Sequence, residues 1–342
     1  MTALKNMPIS FPGLFGDWSF NPDPIAIHVG HGIYWYGIIL AAAMLAGLFL
    51  CMKQAKHYGL TEDNVLDFIL WAVPSCIIGS RIYYVIFYLD LYRNADGSLN
   101  WGQMIAIWDG GLAIYGTVIA GVIVAVIFTR LKKLPLAAMT DLAVLGLLLG
   151  QIIGRWANFI NREAFGGLTD LPWRMRLWVS SYQYIEVHPT FLYESLWNLV
   201  GLLLLLLVVS KGRRFDGENT WFYFLWYGLG RFWIEGLRTD SLYLFDWTFM
   251  GEPIRVSQAL SLVMVVVAVF MLFYNLKIKK RTADGLWVNR GAAAKAAERA
   301  AEEEAAFQTD PTLEKVMLEA EEKVEPAETA EKTEEEQHGD AD

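Results

Sequence analysis

Seven apolar runs dominate this sequence, near residues 33–52, 65–89, 111–130, 136–160, 189–209, 219–238 and 255–276. The hydrocarbon core of a bilayer is about 30 Å thick and takes about 20 helical residues to cross, so runs of this length suit transmembrane helices. With 55% hydrophobic residues over 342 positions, the chain is too apolar for a soluble globular protein of its length. The fold class that follows is an all-α polytopic membrane protein with seven transmembrane helices.

The connections carry the orientation. Lys53 and Lys56 follow the first run; Arg130, Lys132 and Lys133 the third; Lys211, Arg213 and Arg214 the fifth; Lys277, Lys279, Lys280 and Arg281 the seventh. Basic connections stay on the cytoplasmic side, which puts the N-terminus outside and the C-terminus in the cytoplasm. The other connections, notably 90–110 and 161–188, are longer and hold Tyr92, Trp101, Trp108, Trp173, Trp178, Tyr182 and Tyr184. Such residues favour the headgroup layer and predict a small external cap.

Residues 1–32, with Phe11, Phe15, Trp18 and Phe20 among Pro and Gly, read as an interfacial arm; 33–276 form the seven-span domain and 277–342 a cytoplasmic tail. No basic stretch, apolar run and cleavage site precede Ile33, so the first span is expected to remain in the mature protein. The formal charge of -9 belongs to the tail: residues 282–342 hold 18 acidic and 6 basic side chains, which leaves 1–281 positive. The Ala-rich run 291–306 predicts a helix, and the Glu/Ala/Lys-rich remainder predicts disorder without chemistry.

Charges within apolar spans are costly and mark function. Span parity brings Arg81, Arg155, Arg231, Glu235 and Arg238 to the same end of the spans, with His188, Tyr193 and Glu194 opening the fifth and Tyr36 and Tyr115 near the ends of the first and third. Arginines converging at one depth predict a site for an anionic lipid headgroup, because guanidinium grips phosphate with two parallel hydrogen bonds. Cys51 and Cys76 lie in apolar stretches and read as buried small hydrophobes. No His, Cys, Asp or Glu cluster has ligand spacing, so neither a metal nor another cofactor is expected, nor a nucleic-acid partner.

The segment Gly154-Arg155-Trp156-Ala157-Asn158-Phe159-Ile160-Asn161-Arg162-Glu163-Ala164-Phe165-Gly166 resembles the G-R-x-x-N-F-x-N-x-E-x-x-G signature of bacterial prolipoprotein diacylglyceryl transferases, with each fixed position matched. Trp35-Tyr36-Gly37, Gly79-Ser80-Arg81, His188-Pro189-Thr190-Phe191-Leu192-Tyr193-Glu194 and Gly230-Arg231 through Arg238 are similar to further motifs of that family, as is Arg255-Val256-Ser257-Gln258. The resemblance runs over roughly residues 25–276. It implies a cell-membrane enzyme that moves the diacylglyceryl group of phosphatidylglycerol onto the lipobox cysteine of a prolipoprotein signal peptide, with its active site facing the outer leaflet. It also implies that Arg155 and Arg231 bind and stabilise the phosphate, with Asn158, Glu163 and Glu235 orienting them. Tyr36, Asn161, Gly166, Arg238 and Arg81 are further candidates for the lipid site. Tyr115 stands where the family often has histidine; a phenol titrates near 10 and is a poor base, so it is expected to donate a hydrogen bond or to pack, and His188 becomes the substitute candidate for the base, its other reading being a helix-start cap or hydrogen-bond anchor.

Two other readings compete. A transporter for an anionic solute would also gather arginines, but around a midplane site within an internal repeat, and none is evident here. Another lipid-handling membrane protein fits the composition and lacks an explanation for the segment from Gly154 to Gly166.

Overall fold

Out of water, a run of twenty apolar residues has one local way to pair its backbone N–H and C=O groups, and each run in this chain closes into a helix. The computed structural model describes residues 7–29, 32–94, 96–180, 182–239, 243–249 and 252–290. The Ala-rich run 291–306 and the acidic remainder of the tail lie outside the described residues. In chain order the helices are α1 (Pro12–Phe15), α2 (Trp35–Gln54), α3 (Glu62–Phe87), α4 (Trp101–Ile105), α5 (Ile114–Leu131), α6 (Leu136–Asn161), α7 (Thr190–Leu204), α8 (Glu218–Leu237) and α9 (Val256–Phe273). Six of the described helices, α2, α3, α5, α6, α7 and α9, are long and apolar enough to cross a membrane once their flanking turns are included. The expected span at 219–238 is helical as α8, but Glu218, Arg231 and Glu235 within it make it more polar than its neighbours.

Close approach of these helices depends on missing side chains. Where α2 crosses α6, a Cβ on Gly47 would stand 2.9 Å from the carbonyl oxygen of Gly146, and where α3 crosses α5, a Cβ on Gly79 would stand 2.9 Å from that of Gly116. Small residues of this kind let apolar helices pack where no hydrophobic force drives them together. The main core lies around α6, where Leu142, Leu145 and Leu148 are buried with Phe128, Leu205 and Tyr58.

The sequence predicts no strands, and the cap nevertheless contains a sheet. Strands β1 (Ile9–Ser10), β2 (Ser19–Phe20), β5 (Met175–Trp178) and β6 (Tyr184–Val187) form an antiparallel sheet in the order β2-β1-β5-β6, with Ile9 opposite Leu177. Strands β3 (Ile25–Ile27) and β4 (Ile33–Tyr34) pair just before α2, and β7 (Tyr243–Phe249) and β8 (Glu252–Arg255) pair between α8 and α9. Ile9, Met175, Leu177 and Val187 bury themselves against Phe191 at the start of α7. Arg162 ties the arm down: its buried guanidinium donates to the carbonyls of Met7, Pro22 and Ile160 and to Asn21 Oδ1. The arm is thereby part of the folded body rather than a separate element.

At the opposite end, Asp141 of α6 does for α8 what a capping residue usually does for its own helix. Its fully buried carboxylate accepts from the backbone N–H of Gly217 at 2.7 Å and of Thr220 at 2.9 Å, two of the donors that a helix start leaves open. Arg213 Nη1 lies 3.6 Å away, and its guanidinium covers the Tyr58 ring at 4.2 Å. Contacts divide the chain into Met1–Val288 and Asn289–Asp342. The first unit includes the opening of the expected tail, because the backbone N–H of Trp287 donates to Asp216 and its indole N–H to the Gly59 carbonyl.

Asp141→Ala leaves Arg213 buried without its counter-charge and α8 uncapped, which is expected to cost roughly 3–5 kcal/mol. A thermal melt of the detergent-solubilised protein checks this, and an unchanged midpoint would refute the capping role. Truncation after Arg290 should leave the same melt unaltered, whereas truncation before Trp287 should lower it.

Candidate active site

Glu194 sits in the second turn of an apolar helix, where an unpaired carboxylate would be prohibitive. Its side chain is 5% exposed, and its two oxygens are met from two other helices. Arg231 of α8 donates from Nη1 to Oε1 at 2.7 Å, and Arg155 of α6 is ion-paired through Nη2 with Oε2. Arg238 approaches Oε1 to 3.9 Å. One turn along α8, Glu235 meets Arg231 Nη2 at 2.6 Å, a spacing of four that puts both on one helix face. Arg255, just ahead of α9, donates to the carbonyls of Glu235 and Arg238 and holds the end of α8 in place.

The sequence candidates Arg155, Arg231, Glu235 and Arg238 therefore come together, around a carboxylate that sequence reasoning noted only as opening the fifth span. The signal was present: a carboxylate in an apolar span needs a positive partner, and several arginines lay at its depth. The side chains of Arg155 and Arg231 remain 21% and 18% exposed.

Glu163 takes a different place from the one expected. The helix stops at Asn161, Arg162 adopts a left-handed conformation at φ 53°, and the chain folds back. Glu163 Oε1 then accepts from Asn158 Nδ2 at 3.0 Å and Asn161 Nδ2 at 3.3 Å instead of pairing with Arg155. Tyr36 lies in the first turn of α2 and is exposed.

Gly166 joins the signature segment to the other walls. Its N–H donates to the His188 carbonyl at 3.0 Å and it bridges to Arg238; a Cβ there would stand 2.7 Å from that of His188. His188 Nδ1 lies 3.2 Å from the Tyr193 hydroxyl, which also accepts from the Trp173 indole at 2.7 Å. Tyr115 rests against the ring of Tyr83, and among the described residues its hydroxyl makes no hydrogen bond. Arg81 is used differently: its guanidinium donates to the carbonyls of Gln103, Met104, Gly110 and Gly111 beneath the Tyr92 ring, which organises that connection rather than the Glu194 cluster.

In the cap, Glu186 receives Arg174 and Arg176 at 2.7 Å each. Burial alone would raise its pKa, but the hydrogen bonds and charges of the two arginines outweigh it and hold the carboxyl below the usual range. A depressed carboxylate stabilises the fold above the unfolded pKa of about 4.3 and loses that contribution as pH falls through the folded value. Amides of β5 and β6, corrected for intrinsic exchange, should thus lose hydrogen-exchange protection below about pH 4, and Glu186→Gln should flatten this dependence. Gly166→Ala is expected to overpack the junction and cost about 1–3 kcal/mol, read as a lowered melting midpoint.

A family profile described as prolipoprotein diacylglyceryl transferase matches residues 24–274. Curated proteins named phosphatidylglycerol--prolipoprotein diacylglyceryl transferase are similar over most of their length. That of Oceanobacillus iheyensis is 42% identical over 272 residues, covering 75% of this chain and 88% of the relative. That of Lysinibacillus sphaericus is 42% identical over 268 residues, covering 75% and 94%, and one from Listeria monocytogenes is 40% identical over 265 residues, covering 74% and 90%. On the profile match and these relatives together, the chain belongs to the prolipoprotein diacylglyceryl transferase family.

Proposed function

We propose that this protein transfers the diacylglyceryl group of phosphatidylglycerol to the lipobox cysteine of a prolipoprotein signal peptide, the first step of lipoprotein maturation. Family membership supports the reaction. One observation supports the site: Arg155 and Arg231, from different helices, are gathered on one buried carboxylate, and neither side chain is fully buried. A pair so placed suits the phosphodiester of an anionic lipid.

In this reading the cysteine sulfur attacks the glycerol carbon that carries the phosphate ester. A C–S bond forms as the C–O bond breaks, and the electron pair leaves on the phosphate oxygen as glycerol 1-phosphate. Arg155 and Arg231 take up the charge that grows there, and their field favours the attacking thiolate. Glu194 and Glu235 hold the two guanidinium groups, and Arg238 adds positive charge. His188, steadied by Tyr193, accepts the thiol proton. Tyr115 offers a hydrogen bond, while Tyr36, Asn158, Asn161, Glu163 and Gly166 shape the wall that receives the lipid. Arg81 acts through the connection it organises.

We take α8 as a seventh crossing, since Trp221 to Leu229, between Glu218 and Arg231, are mainly aromatic and aliphatic. The basic connections sit at the end of the helices opposite Glu194, which supports an N-terminus outside, a C-terminal tail in the cytoplasm, and a site facing the outer leaflet of the bacterial inner membrane.

Membranes holding the protein, supplied with glycerol-labelled phosphatidylglycerol and a lipobox peptide, should label the Cys peptide and leave a Ser version unlabelled; an unlabelled Cys peptide would sink the proposal. Arg155→Ala and Arg231→Ala should each lower the rate about 100-fold or more while the protein still accumulates. Activity near that of wild type would remove that arginine from the mechanism. Deleting residues 291–342 should leave transfer intact.

A further inference from the structure

Beside the Glu194 cluster, α7 and α8 are joined by two tryptophans that answer each other. The indole N–H of Trp197 donates to the backbone carbonyl of Trp226 at 2.9 Å, and that of Trp226 donates to the carbonyl of Trp197 at 2.9 Å. The rings stack with centroids 4.5 Å apart and planes 20° from parallel. Each indole lies on a glycine of the facing helix, Trp226 on Gly201 and Trp197 on Gly230, and a Cβ at either glycine would collide with the ring.

The position of this pair gives it consequence. Trp197 follows Glu194 by three residues, and Gly230 directly precedes Arg231, so the reciprocal bonds lie about one turn from the ion pair. An arginine on its own helix could follow Glu194 through a shift of α8 by turning its long side chain, so the ion pair alone does not fix where the remaining guanidinium donors point. Two antiparallel hydrogen bonds closed across stacked rings do fix the slide, roll and separation of the helices at once. Helix α7 is in turn held to α6 near Arg155, where Ser195 Oγ donates to the Ile152 carbonyl at 3.0 Å. The chain of constraint therefore runs from Arg155 through α7 to Arg231. Trp233 packs edge-on against Trp197 and also touches Tyr193, the partner of His188.

We propose that Trp197 and Trp226 are positioning residues for the transfer, which set the place of Arg231 relative to Arg155 by locking α8 to α7. This rests on the functional reading above. Neither residue touches the reacting atoms; both act through Arg231. Because displacement of a reacting group by about 1 Å can cost 100-fold in rate, the lock should act on the chemical step more than on lipid binding.

The test uses the full-length protein in phosphatidylglycerol vesicles, with initial rates normalised to folded protein at a temperature well below its melt. Trp226→Phe, which keeps a ring and loses the donor, should lower kcat about 10- to 100-fold and change KM for the lipid by less than about 3-fold. Trp197→Phe reads the other half of the lock, so a single variant that fails to accumulate does not stop the test. Trp226→His, which retains an N–H donor, should recover part of the loss. In an Arg231→Lys background Trp226→Phe should cost little more, because the geometry it protects is already gone. A kcat per folded molecule within 2-fold of wild type, or a full multiplicative loss in the Arg231→Lys background, would overturn the positioning role while the transfer reading stands. A wild-type protein that leaves the Cys peptide unlabelled would overturn both.

Discussion

A carboxylate removed from water has to be met by positive charge, and the convergence of three helices in this protein follows from how Glu194 is met. One of its oxygens meets Arg155 and the other Arg231, so α6, α7 and α8 must bring their ends to one point. Pairing of this kind is worth little as net stability, since desolvating the ions offsets most of their attraction, but losing one partner is severe. The cluster therefore acts mainly as a specification of geometry. The surrounding contacts extend that specification: Arg255 pins the carbonyls at the end of α8, and Gly166 brings the signature segment against His188 and Arg238.

Helix α8 is the least apolar of the long helices, and its neighbours account for that. Asp141 of α6 receives its first N–H groups, the tryptophan pair clasps its middle, and Glu194 takes the arginine near its end. A helix held by polar contacts along its whole length needs less apolar surface to stay in place. The other long helices rely on close backbone approach, as at Gly47 with Gly146, and on broad apolar faces.

Much of the helical framework was legible in the sequence, because span length and apolarity follow directly from bilayer thickness. The arginines of the site were legible for a related reason, since charge in an apolar run needs a purpose. Partnerships were not. Glu163 was expected beside Arg155, but the left-handed turn at Arg162 redirects it to the two asparagines, and nothing in a motif reports that turn. Arg81 looked like its fellow arginines until its donors were found among the carbonyls of one connection. The sheet escaped notice because two-residue strands have no periodicity to detect, and the tryptophan pair becomes visible only when α7 and α8 are known to be neighbours.

The sheet also carries a consequence for biosynthesis. Ile9 pairs with Leu177, so the N-terminal strand is made long before its partner exists. At about 5–20 residues per second, that interval is roughly 10–30 s. Through most of it Ile9 lacks the cover of Met175, Leu177 and Val187, and the Met7 and Pro22 carbonyls lack the arginine that later binds them. A segment made early is thus among the last to find its place, and a chain halted before residue 175 would present an unpaired aromatic arm to whatever surveys newly made proteins.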